Sequence, residues 1–80
     1  MQVYLVTAEH YSVPGIIVRV AATKERAIWE ALLAANIMLR DAGMARVSDE
    51  SSMNAALERL QDEKGAAHCY VEISMHEVLQ

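Results

Sequence analysis

At 80 residues with a formal net charge of −4, the chain has room for one domain, near the size at which a single core only just holds a fold alone. Asp and Glu outnumber Lys and Arg by 11 to 7, which argues against bare nucleic acid as a direct partner, since that needs clustered cations to displace counterions. One cysteine, Cys69, cannot close an internal disulfide, and no apolar run approaches the roughly 20 residues that span a bilayer. The opening MQVYLVTAEH carries no cationic leader and no small-residue cleavage site, so the expected setting is the cytoplasm, away from membranes.

Residues 2 to 8, QVYLVTA, are β-branched, aromatic and apolar on both alternating faces, which predicts a central strand covered on both sides. Pro14 and Gly15 break it in EHYSVPG, where a hairpin loop belongs. IIVRVAA, residues 16 to 22, is the second predicted strand, with Ile16, Val18 and Val20 on one face and Ile17, Arg19 and Ala21 on the other. Thr23 then offers an N-cap and Glu25 suits the first turn of a helix.

On that helix Ile28, Ala31, Leu32, Ala35, Met38, Leu39 and Ala42 form a broad stripe predicted to lie on the sheet. Trp29, Leu33 and Ile37 form a second row at i, i+4, i+8 that the same side cannot hold. Gly43 is placed to end the helix. Ser48 or Asp49 caps a second helix running to about Lys64, with Met53, Ala56, Leu57 and Leu60 as its apolar stripe. This stripe can meet either the sheet or the Trp29 row. Residues 68 to 78 alternate as a third strand, with Cys69, Val71, Ile73 and Met75 inward and Tyr70, Glu72, Ser74 and His76 outward.

The predicted architecture is an α+β two-layer sandwich in ββααβ order, a three-stranded, mainly antiparallel sheet with two helices on one face, all in one domain over residues 1 to 80. On the uncovered side this reading places Tyr4, Val6, Ile17 and Tyr70. Together with Trp29, Leu33 and Ile37 they are the self-association candidates, and a homodimer is expected because so much apolar surface suits a small monomer poorly.

Candidate chemistry is sparse. His68 and His76 stand roughly 26 Å apart along a strand rising about 3.3 Å per residue, too far to share a metal ion, and the adjacent His68 and Cys69 point to opposite faces. No serine sits in a glycine-flanked strand-to-helix turn, and no basic residue is evident beside Ser12, Ser48 or Ser52. The loop cluster Glu9, His10, Tyr11 and Ser12 reads as a solvated turn. No phosphate-cradling loop can be written with three glycines. The expectation is therefore no enzyme, no cofactor and no metal.

The stretch VYLVTAEHYSVPGIIVRVAATKERA resembles the start of many small phage and prophage proteins, in which a strand like YLVTA leads through a Tyr-Ser turn to a second strand and a Thr-capped helix opening T-x-E-x-A. The matching positions are Tyr4 to Ala8, Tyr11, Ser12, Thr23, Glu25 and Ala27, about the first third of the chain. With its length, mild acidity and lack of an active site, the whole is similar to compact anti-CRISPR proteins acting on type I systems, subtype I-C among them. That resemblance implies stoichiometric inhibition in the bacterial cytoplasm, by occupying a Cas surveillance complex and blocking target DNA or nuclease recruitment. Such proteins share no functional residues to carry over. From exposure alone, Asp49, Glu50, Glu58, Asp62 and Glu63 are the candidate partner-binding acids, suited to a channel lined by Lys and Arg. The alternative reading is a homodimeric phage or bacterial accessory protein with no CRISPR role.

Overall fold

In the computed structural model, which describes residues 1–65 and 69–78, the elements run β1 (Gln2–Glu9), β2 (Ile16–Ala21), α1 (Lys24–Asp41), α2 (Glu50–Lys64) and β3 (Tyr70–Glu77). The strands form one antiparallel sheet in the order β2-β1-β3, so the first strand is central, and the α+β architecture in ββααβ order is the one the sequence predicts. The reading that His68 is too far from His76 to share a metal ion and points away from Cys69 rests on His68, which lies outside the described residues.

Local chemistry sets the boundaries. Thr23 Oγ1 accepts the Arg26 N–H at 3.2 Å to open α1, and Asp49 Oδ1 accepts the Ser52 N–H at 2.7 Å to open α2. At the end of α1 the Gly43 N–H donates to Arg40 O and the Met44 N–H to Leu39 O, the paired bonds of a Schellman closure. Gly43 takes φ +73° there, a conformation that L side chains adopt at a cost, so this position needs its glycine. Met44 then folds back onto the core that contains Leu39.

The two carboxylates engaged in these local bonds give the fold an acid limit. The Ser52 N–H lowers the Asp49 pKa from its ordinary 3.8, and the bond from His10, followed by Arg40, lowers that of Asp41. A folded-state pKa below the unfolded one contributes stability that is fully present above about pH 4 and is lost as pH falls through the folded value. Thermal melts from pH 7 to pH 2 are expected to stay flat down to about pH 4 and then to fall. In Asp49→Asn, whose amide still caps but does not titrate, that fall is shallower.

Packing is organised by small residues. Ala27, Ala31 and Ala35 form the fully buried face of α1, and Ala8 and Ala21 lie beneath on the sheet, so helix and sheet approach closely. Met38 and Leu39 fill the far end of this contact, while Ile28, Leu32 and Ala42 are only partly buried at its flank. α2 adds Met53, Ala56, Leu57 and Leu60, the stripe expected from its spacing, and these join the same core together with Cys69. Burial raises the pKa of the Cys69 thiol, which keeps it protonated and inert.

The sheet faces differ from the sequence expectation in one respect. Directly opposed residues of antiparallel strands share a face. Tyr4 with Ala21 and Met75, Val6 with Arg19 and Ile73, and Ala8 with Ile17 and Val71 therefore all lie on the helix side. Val6 is thus a core residue, 2% exposed, and Tyr4 packs half-buried against the core, so neither belongs to an uncovered face. Period-two alternation cannot choose between two apolar faces of β1. The alanines choose, because α1 settles where Ala8 and Ala21 leave room.

Ile17 also points to the helix side but stays exposed on the edge strand β2, four residues before Ala21, the one residue of β2 that is buried. Met75, expected inward, does point to the helix side opposite Tyr4 but is exposed, bordering a hollow shared with Lys24, Glu50 and Ile73. Tyr70 does face the open side, opposite Glu9, and is half-buried. The helices cover one side of β1 rather than both, leaving Val3, Leu5 and Thr7 on the open face beside Val18 and Val20.

Candidate functional site

Three large apolar residues of α1 are on the outside. Trp29, Leu33 and Ile37 remain 47%, 43% and 46% exposed, on the side of the helix turned away from its alanine face. α2 does not cover them. Its stripe is spent on the core, so the choice left open by the sequence resolves in favour of an unpartnered row among the described residues. A row of large apolar side chains left exposed and rimmed by polar residues marks an interaction surface.

Leu33 and Ile37 of this row belong to one wall of a groove of about 500 Å³ lined by Leu33, Asn36, Ile37, Arg40, Met44 and Arg46. The other wall is the connection between the helices, and a single side chain fastens it. Asn36 Nδ2 donates to Val47 O at 2.9 Å, and Asn36 Oδ1 accepts the Val47 N–H at 2.9 Å. This two-bond clamp holds an irregular segment against α1. Replacing Asn36 with Ala strips both partners from a part-buried peptide unit, an expected cost of about 1–3 kcal/mol that differential scanning calorimetry reads as a fall in Tm.

Charge around the row is basic although the chain is acidic. Arg26 lies over the Trp29 ring at 4.1 Å and reaches Glu30 at 3.2 Å, and Arg40 and Arg46 border the groove. Arg40 also contacts the Asp41 carboxylate at 3.3 Å.

The predicted acidic surface is only partly brought together. Glu58 and Asp62, four residues apart, share the outward face of α2. Asp49 is engaged in capping, so its carboxylate is directed at the helix end. Glu50 is half-buried at a hollow with Tyr4, Lys24, Ile73 and Met75. Glu63 projects on another flank, beyond Arg59 on the helical projection.

The open sheet face is the second apolar surface. Ile16, Val18 and Val20 are 59%, 51% and 66% exposed along the edge strand, whereas β3 presents Glu72, Ser74 and His76 on the same side.

The structure also joins residues that sequence reading kept apart. His10 Nδ1 accepts the Ser12 N–H at 3.0 Å and stands 3.2 Å from Ser12 Oγ. With Nδ1 accepting, the ring hydrogen sits on Nε2, which donates to Asp41 Oδ2 at 2.8 Å. A basic residue therefore does stand beside Ser12, contrary to the sequence reading. Asp41 lies 31 positions from His10, and no local spacing signals such a contact. Tyr11 stacks on the His10 ring with centroids 4.5 Å apart, and Lys64 Nζ lies 5.0 Å from the Tyr11 ring centre.

Chemically this is a fastening for the β1–β2 loop. One lone pair on Nδ1 is already taken by the backbone N–H of Ser12, and the His10 side chain is only 9% exposed, so the imidazole is not presented to a substrate. Among the described residues no three His, Cys, Asp or Glu side chains gather as a metal site, and no helix is long and apolar enough to cross a membrane. No protein-family model, curated protein or solved structure matches the chain.

Proposed function

We propose that this protein acts by stoichiometric binding to another protein, as an anti-CRISPR inhibitor that occupies a type I surveillance complex and blocks target DNA or nuclease recruitment. The observation that carries the binding reading is the outward row of Trp29, Leu33 and Ile37, an apolar anchor left free by a fold whose core is complete without it. The choice of target rests on the resemblance of the first third of the chain to small phage proteins. Glu58 and Asp62, on the outer face of the neighbouring helix, supply steering charge toward a channel lined by Lys and Arg.

A second reading is favoured by a separate observation. The exposed Ile16, Val18 and Val20 lie on an edge strand without proline, and such edges commonly pair or pack with another copy. In that reading the protein is a homodimeric phage or bacterial accessory module with no CRISPR role.

The deciding experiment is target-DNA binding by purified type I surveillance complexes with and without the protein, alongside size-exclusion co-migration. Co-migration with loss of DNA binding supports occupancy of the DNA channel, and then reversing charge at Glu58 and Asp62 weakens the complex. Co-migration with DNA binding intact points to blocked nuclease recruitment. Neither effect, across several subtypes, leaves the accessory homodimer.

A further inference from the structure

The basic rim of the α1 row defines what fits it. Of the seven Lys and Arg residues in the chain, Arg26, Arg40 and Arg46 border Trp29, Leu33 and Ile37 or the adjoining groove. Two nearby acids offset them only in part: Glu30 pairs with Arg26 at 3.2 Å and Asp41 is shared by Arg40 and His10, so three guanidiniums stand against two carboxylates and Arg46 lies outside both pairs. The row spans two turns of α1, about 12 Å at 1.5 Å per residue, which is the footprint of a short helix laid alongside.

We propose that this groove receives an amphipathic helix of a partner protein whose apolar stripe at i, i+3, i+4 and i+7 is flanked by Asp and Glu. The apolar stripe covers Trp29, Leu33 and Ile37, and the flanking carboxylates meet the guanidiniums, whose planar donors suit them. A second copy of this chain fits less well. Antiparallel self-docking centred on Leu33 sets Arg26 opposite Arg40, and parallel docking sets each arginine opposite itself.

This inference rests on the protein-binding reading, so its test contains no CRISPR component and can fail independently of the surveillance-complex experiment. The probe is a synthetic tryptophan-free helical peptide with a Leu stripe flanked by Glu, together with a twin carrying Lys in place of each Glu. Trp29 is the only tryptophan in the chain and stands in the row one turn before Leu33, so its emission reports a helix laid along the row that continues into the groove.

The expected result is a saturable blue shift with the Glu peptide, with binding of the Lys twin about tenfold weaker or more, as expected for several exposed charge contacts acting together. In the double variant Arg40→Glu, Arg46→Glu that preference reverses, with circular dichroism confirming that these exposed changes leave the fold intact. No shift with the Glu peptide overturns the proposal, as does equal binding of both peptides, which indicates unspecific apolar adhesion. A blue shift that appears on concentrating the protein alone also overturns it, and identifies a second copy as the occupant.

Discussion

Leu39→Ala is expected to cost about 3 kcal/mol, within the range of about 2–5 kcal/mol for emptying a fully buried leucine site, and to lower Tm by about 15–20 °C in a domain of this size. Leu39 is 0% exposed and sits where several devices converge. Its carbonyl accepts the Met44 N–H that closes α1, and its side chain belongs to the core that α2 shares. The alanine-rich layer around it offers little mobile side chain to collapse into the void. Small domains have a narrow margin of stability, so a loss of this size is a large share of the total. Chemical denaturation of the wild type and the variant, read by circular dichroism, measures it. A change under 1 kcal/mol contradicts the packing described above.

Leu33→Glu, six positions away on the same helix, is expected to behave in the opposite way. Leu33 is 43% exposed on the outer row, so a charged side chain there costs the fold about 0.5 kcal/mol or less. Its effect on binding is large, because a carboxylate at the centre of an apolar contact must be desolvated without a partner, a penalty of several kcal/mol and a loss of affinity of a hundredfold or more. The two variants thus divide one helix into an inner face that holds the fold and an outer face that does the binding. Thermal melts and co-migration assays on Leu33→Glu separate the two effects. A variant that unfolds places Leu33 in the core, and one that still binds removes the row from the interface.

Much of the fold was legible in the sequence because its boundary signals are local. Thr23, Asp49, Gly43 and the stripe Met53, Ala56, Leu57 and Leu60 each act over three or four residues, and each sits where spacing and capping rules place it. The faces of β1 were not legible. Val6 and Leu5 are equally apolar, and only the small volumes of Ala8 and Ala21, matched to Ala27, Ala31 and Ala35 across the layer, decide which side the helix takes. Whether α2 covers the Trp29 row was beyond periodicity too, because it depends on where the connection carries the second helix. That path is held by Asn36 through two bonds to Val47, a residue eleven positions away.

The functional surface shows the same division. The row itself is plain from i, i+4, i+8 spacing, but its exposure and its basic rim require knowing which face is buried. The acidic set looked continuous in sequence, yet a capping bond occupies Asp49 and the helical projection separates Glu50 from Glu58 and Asp62. The His10 and Asp41 contact joins loop to helix across 31 residues, so spacing carried no trace of it.

The most direct test is a titration of purified type I surveillance complex with this protein at fixed complex concentration, well above the dissociation constant, following target-DNA binding and nuclease recruitment. Inhibition by occupancy predicts a linear loss of one of these activities that ends at a fixed, near-integral molar ratio, with Leu33→Glu shifting the curve far to the right. Complete inhibition at a small fraction of that ratio, or none at any excess across subtypes, would contradict it.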